Sequence, residues 1–140
     1  MLEELATIHP DLHTKDFWDR CARRELWFQQ CVDCQKFRFP PLTGCRYCGS
    51  TRVVWKRVTG RGRVFSHTTV VHPVIPAISG DVPYAVVVVE FDEAPGARLI
   101  SNVLGTPPEE IHVGMELELA WDEPRPGVIL PRFRTAGARA

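Results

Sequence analysis

The stretch Cys31-Val-Asp-Cys34-Gln-Lys-Phe-Arg-Phe-Pro-Pro-Leu-Thr-Gly-Cys45-Arg-Tyr-Cys48 holds four of the chain's five cysteines in a C-x2-C, ten residues, C-x2-C arrangement. Two residues between paired cysteines let the backbone turn tightly enough for both sulfurs to reach one ion, and two such turns complete a tetrahedral zinc shell. A shell of four thiolates has no open position for an activated water, so the expected zinc holds the fold and performs no hydrolysis. Two disulfides would require an oxidising compartment, for which the sequence shows no export segment, and an iron–sulfur centre is the remaining alternative. The candidate metal ligands are therefore Cys31, Cys34, Cys45 and Cys48.

On the N-terminal side, Phe17, Trp18, Cys21 and Ala22 recur at helical spacing after Thr14, a candidate N-cap. Cys21 reads as a core thiol of that helix. On the C-terminal side the pattern becomes extended, with β-branched and aromatic runs separated by turn residues. Six runs stand out: Val53–Val58, Arg63–His72, Tyr84–Phe91, Ala97–Val103, Met115–Trp121 and Val128–Arg134. Between the fourth and fifth, Thr106-Pro-Pro-Glu109 has the form of a capping box with proline at the first helical position, which predicts a short helix over 107–111, ended by Gly114. Strand, strand, strand, short helix, strand, strand is the element order of the five-stranded OB barrel. The fold class expected is mainly β, divided into an N-terminal helical segment (1–28), a zinc ribbon (29–58), the barrel (59–134) and a flexible tail (135–140).

With 140 residues, 44% apolar and 24% charged, the composition is that of an ordinary globular domain. No apolar run approaches the roughly 20 residues a spanning helix needs, so no membrane partner is expected and the compartment expected is cytoplasmic. The net charge is zero, but it conceals strong segregation. Residues 20–63 carry eleven Lys or Arg against Glu25 and Asp33, residues 64–80 carry no charged side chain, and residues 81–123 carry ten acids against Arg98 alone. The run Tyr84-Ala-Val-Val-Val-Val-Glu-Phe91 is apolar on both faces, as expected for the most enclosed strand of a barrel. The loop from His72 to Pro83 is proline-rich and apolar, and a partner surface or an acyl chain are the candidates to cover it. No G-x-S-x-G elbow, P-loop or H-E-x-x-H helix occurs, so a self-sufficient enzyme is not expected. An OB-fold reader of nucleic acid is the competing class, but the third and fourth runs lack an aromatic stacking platform and the acidic second half would repel phosphates.

Phe17-Trp18, the four cysteines, Phe39-Pro40-Pro41, Cys48-Gly49-Ser50, Trp55, Gly60-x-Gly62-x-Val64, Ser66-x-Thr68, Val71-His72, Pro83-Tyr84, Glu90, Gly114-Met115 and Phe133-Arg134 occur in an ordered set. That set resembles the OB-fold domain-of-unknown-function proteins that carry a rubredoxin-like zinc ribbon and accompany thiolase-fold enzymes of acyl-CoA metabolism. One departure is Gln35-Lys36, where glycine often follows the first cysteine pair. The resemblance implies an accessory subunit that docks on a thiolase or a lipid-transfer-protein-like aldolase, as in sterol side-chain breakdown, and shares a CoA thioester with it. Under that reading Arg38, Arg46, Arg61 and Arg63 are the candidate contacts to CoA phosphates. Phe17, Trp18, Pro73, Val74, Ile75, Pro76 and Ile78 are the candidate partner-binding residues. A scaffold that binds protein without CoA is a further alternative.

Overall fold

The computed structural model describes residues 6–137. Among these residues one α-helix, α1 (Lys15–Ala22), precedes eight strands: β1 (Leu26–Cys31), β2 (Phe37–Arg38), β3 (Val53–Val58), β4 (Gly62–Val70), β5 (Tyr84–Glu90), β6 (Arg98–Ser101), β7 (Glu116–Arg125) and β8 (Val128–Thr135). They form a three-stranded sheet, β2-β1-β3, and a five-stranded sheet, β6-β5-β4-β7-β8. The six expected runs all form strands, Val53–Val58 with the expected ends and the other five with shifted ones. β1 and β2 are additional: β1 starts at Leu26, within the segment assigned to the helical N-terminus.

The five-stranded sheet nearly closes on itself. β6 and β8 lie at its two ends, yet Val103 and Phe133 form a parallel bridge, Leu104 N–H donates to the Phe133 carbonyl at 2.7 Å, and Phe133 N–H donates to the Asn102 carbonyl at 3.1 Å. Parallel contact between the third and fifth barrel strands closes the OB topology and leaves few unpaired edges. Gly62 admits the close approach of β4 to β5, because a Cβ there would meet Val89 Cγ1 at 2.6 Å and the Glu90 carbonyl at 2.7 Å.

Two local predictions are corrected. The capping box at Thr106 does not form: a single 3-10 turn spans Pro108–Glu110, preceded by Pro107, with no side-chain cap. The Thr106 hydroxyl instead faces that of Thr135 at 3.3 Å. Thr14 precedes α1 but its side chain caps no helical N–H. Asp11 orders this entry by accepting from the N–H groups of His13 and Thr14 at 2.9 and 2.8 Å. The β5 expectation is also revised. Ala85, Val87 and Val89 are buried, but Tyr84, Val86, Val88 and Glu90 are only half-buried, so the second apolar face of this strand points outward.

Phe17 and Cys21 fall four residues apart on α1, which puts both on the buried face. From there a chain of rings crosses the molecule: Phe17 to Phe39 at 4.9 Å between centroids, Phe39 to Phe28 at 5.7 Å, Phe28 to Phe91 at 5.1 Å and Phe91 to Phe133 at 6.0 Å. Tilted and edge-on rings at these separations attract beyond their buried area. The series joins helix, ribbon and barrel in one core. Arg20 adds a second tie, its guanidinium lying 4.5 Å from the Trp55 ring centroid and 5.1 Å from that of Trp27, so α1 is clasped to the ribbon sheet. Phe28 is fully buried at the centre of the series. Phe28→Ala is expected to cost about 3–5 kcal/mol, measured by urea unfolding, while the zinc content of the folded protein stays unchanged.

Candidate metal centre and the groove beside it

β1 ends at Cys31, and the two C-x2-C turns face each other at the tip of the ribbon. The Sγ atoms of Cys31, Cys34, Cys45 and Cys48 all lie within 4.8 Å of one another. Cys31 to Cys48 and Cys34 to Cys45 are both 3.6 Å apart, too long for a disulfide and close to the roughly 3.8 Å edge of a tetrahedron with Zn–S bonds of about 2.3 Å. The four thiols are unlinked, and their number and spacing fit zinc in a closed, structural shell.

The two turns have the same construction. Gln35 N–H donates to the Cys31 carbonyl at 2.9 Å and Gly49 N–H to the Cys45 carbonyl at 2.8 Å, with Gln35 at φ +63° and Gly49 at φ +77°. Gln35 therefore adopts the left-handed conformation that glycine often supplies, and the departure noted in the sequence leaves the ligand geometry intact. Tyr47 N–H points at Cys45 Sγ at 3.4 Å. Such backbone donors favour the thiolate, and with the Tyr47 N–H as the leading cause the Cys45 thiol is lowered to about 6. Asp33 ties the turns together by accepting from the Ser50 hydroxyl and from Arg52 Nη1. Cys21 is buried in the core, and desolvation pushes its thiol up to about 12, as suits a packing residue.

The four candidate phosphate-binding arginines do not converge. Arg38 is only 3% exposed; its Nε donates to Gln29 Oε1 at 2.8 Å and its Nη2 to the Leu42 carbonyl at 3.0 Å. It braces the loop between the knuckles and has no surface to offer a phosphate. Arg63 makes a two-pronged pair with Asp92 at 2.9 and 2.7 Å, which answers its charge with a carboxylate. Arg46 and Arg61 are exposed, Arg46 stacked 4.8 Å from the Tyr47 ring centroid.

The partner-binding candidates also divide. Phe17 is 2% exposed and Ile78 equally so: the first is consumed by the ring series, the second seated by the 3-10 turn Pro76–Ile78. Pro73, Val74, Ile75 and Pro76 are exposed, Val74 at 82%. Trp18 is half-buried and lines a groove of about 420 Å³ between ribbon and barrel, with Phe39, Pro40, Leu99, Ile100 and Leu130. A neighbouring hollow of about 630 Å³ shares Ile100, Asn102, Leu130 and Arg132 and reaches Tyr84 and Val86. Arg132 on the common wall pairs with Asp122 at 2.9 Å and donates to Asn102 Oδ1 at 2.9 Å. Sequence reasoning missed this groove; its one signal was Ile100, an apolar residue at an outward position of β6.

A four-thiolate ribbon fused to an OB barrel through a shared core defines a class of small two-part modules. Residues 18–54 match the family model described as the ChsH2 rubredoxin-like zinc ribbon domain, and residues 55–122 match the ChsH2 C-terminal OB-fold domain. The chain is 33% identical to a chain of the solved "Ltp2-ChsH2(DUF35) aldolase", with a TM-score of 0.80 over 93% of this chain and 99% of that one. The chain therefore belongs to the DUF35/ChsH2 family. It is also 39% identical over 121 residues to the probable enoyl-CoA hydratase alpha subunit of Thermomonospora curvata, covering 86% of this chain and 37% of that protein. With the 3-oxo-4,17-pregnadiene-20-carboxyl-CoA hydratase alpha subunit of Mycobacterium tuberculosis it shares 29% identity over 108 residues, 77% of this chain and 33% of that protein. The chain thus spans about a third of the length of these hydratase subunits. No helix among the described residues is long and apolar enough to cross a membrane.

Cys45→Ser is expected to abolish bound zinc, read by metal analysis, and to unfold the ribbon, because metal binding and folding are one equilibrium in such sites. Cys21→Ala should lower stability and keep one zinc per chain.

Proposed function

We propose that this chain is the accessory subunit, or accessory domain, of a heteromeric acyl-CoA enzyme, which docks on a lipid-transfer-protein-like aldolase or thiolase subunit and helps hold the CoA thioester. The observation that carries the reading is the 33% identity along 99% of a chain of the Ltp2-ChsH2(DUF35) aldolase. The steroid acyl-CoA named for the Mycobacterium tuberculosis relative supports a bulky polycyclic thioester as the substrate class. The carbon–carbon bond chemistry belongs, on this reading, to the partner.

The ribbon–barrel groove suits such a ligand. Its walls are mostly apolar, with Arg98 and Arg132 among them, and its size is that of pockets for drug-sized molecules. Exposed Arg46 and Arg61 remain free of a carboxylate partner among the described ion pairs and are the phosphate contacts kept from the original four. Val74 and Ile75 offer exposed apolar surface for docking.

The test is co-expression with a lipid-transfer-protein-like aldolase from the same organism. A stable heteromer by light scattering, with carbon–carbon cleavage of a steroid acyl-CoA only when both chains are present, is expected. Absence of a complex, or full cleavage activity in the aldolase alone, would refute the reading. Assembly without any gain in affinity for CoA thioester would reduce it to a scaffold. Replacing Val74 and Ile75 by serine should weaken assembly by about tenfold or more and leave the zinc content unchanged.

A further inference from the structure

Beyond Val64, strand β4 has a ladder partner on one edge only among the described residues. Its first residues are enclosed: Gly62 and Arg63 pair with Leu117 and Glu116, Val64 N–H donates to the Met115 carbonyl at 3.0 Å, and the Val64 carbonyl accepts from Gly114 N–H at 2.8 Å. The register then shifts between Val64 and Ser66, and Ser66–Val70 pairs with Tyr84–Val88 of β5. No described residue continues the ladder on the opposite side. Phe65 to Thr69 are exposed without interruption, so water reaches both faces of the strand here.

A free edge presents unpaired N–H and C=O groups, and proteins normally guard it with lysine, proline, a bulge or a covering element. The run Phe65-Ser-His-Thr-Thr-Val-Val71 contains no proline and no charged residue, although a quarter of the chain is charged. Its β-branched content suits further pairing. It leads directly into the apolar loop, where Val71 is 58% and Val74 82% exposed. On the outer face, Val88 of β5 lies opposite Ser66 on one side and Ile100 of β6 on the other, and Ile100 is 69% exposed. Beyond the register shift at Val64/Ser66 and the Arg98 guanidinium 3.7 Å from the Phe65 ring centroid, no lysine, proline or covering element among the described residues guards Ser66–Val70, and an apolar surface begins there.

We propose that Ser66–Val70 is a docking edge that receives an extended, uncharged segment of the catalytic partner subunit as an added strand, with the Val71–Ile75 loop packing on its side chains. This rests on the accessory-subunit reading and extends it from the loop to the backbone edge. The occupant follows from charge and register. Ser66–Val70 carries no charged side chain, and the cation beside the run, Arg98, lies over the Phe65 ring outside the pairing stretch, so a charge buried along Ser66–Val70 meets no counter-ion from the edge itself and the added strand is uncharged. Two-fold pairing of two copies about Thr68 would set His72 of each opposite Val64 of the other, where Gly114 and Met115 already fill the ladder. A free segment of about five residues, about 17 Å long, meets no such obstruction.

The test is hydrogen exchange on the isolated chain and on its complex with the lipid-transfer-protein-like aldolase. In the isolated chain, the amides of Ser66–Val70 that face the open edge are expected to exchange as unprotected groups, and in the complex to slow by about tenfold or more. A complex in which these amides are unchanged overturns the edge assignment and leaves the accessory-subunit reading standing. Failure to form any complex overturns both. Protection in the isolated chain that grows with its concentration assigns the edge to a second copy and also overturns the proposal. As a second probe, Thr68→Lys introduces a guarding charge at an exposed position. It should weaken partner affinity by about tenfold or more with zinc content and unfolding midpoint unchanged, and unaltered affinity counts against the edge.

Discussion

The series of rings from Phe17 through Phe39, Phe28 and Phe91 to Phe133 is the contact on which the other features depend. A three-stranded ribbon of this size buries too little apolar area to stand alone, and small units of that kind need a metal or a neighbour. Here both are provided. The thiolate cage organises the tip, and the rings fasten the base of the ribbon to the barrel floor. Phe39 has a place in this series because it follows Arg38, whose guanidinium bonds Gln29 and the Leu42 carbonyl and so sets the path of the inter-knuckle loop.

That arrangement also decides where chemistry is possible. Joining ribbon and barrel through a shared core leaves a groove at their seam, walled by Trp18, Pro40 and Leu99, which neither part would form alone. Arginines that look equivalent in sequence acquire different tasks. Arg38 is structural, Arg63 is neutralised by Asp92, Arg20 lies between two indole rings, and Arg46 and Arg61 face solvent. The cysteine cluster shows the converse: Cys45 and Cys31 are buried, so a metal held there would stabilise the fold that carries the groove.

The charge-free stretch from residue 64 to 80 makes up most of β4, the loop and a 3-10 turn. Inside a closed barrel a neutral strand is ordinary. Outside it, as for Ser66–Thr69, the same composition leaves an uncharged open edge beside outward-facing valines on β5. The barrel closes through β8, so β4 is released from its second neighbour after three residues.

Much of this was legible in residue order. The C-x2-C pairs specify a tetrahedral site because ligand spacing is a local property of the backbone, and the extended runs mark strands because side-chain alternation is local too. Gln35 took the left-handed turn without upsetting the ligands. What residue order did not decide was exposure. Phe17 and Ile78 look like surface anchors beside Trp18 and Val74, and Arg38 looks as free as Arg46, since burial depends on which distant element packs over a side chain. Thr106 carries a capping signature that loses to Thr135 for the same reason. The sequence by itself determined the four-cysteine cluster, the five barrel strands and the family, through short-range spacing. Only the tertiary structure decided the seam groove, the division of the arginines and the open edge of β4, because each arises where segments far apart in the chain meet or fail to meet.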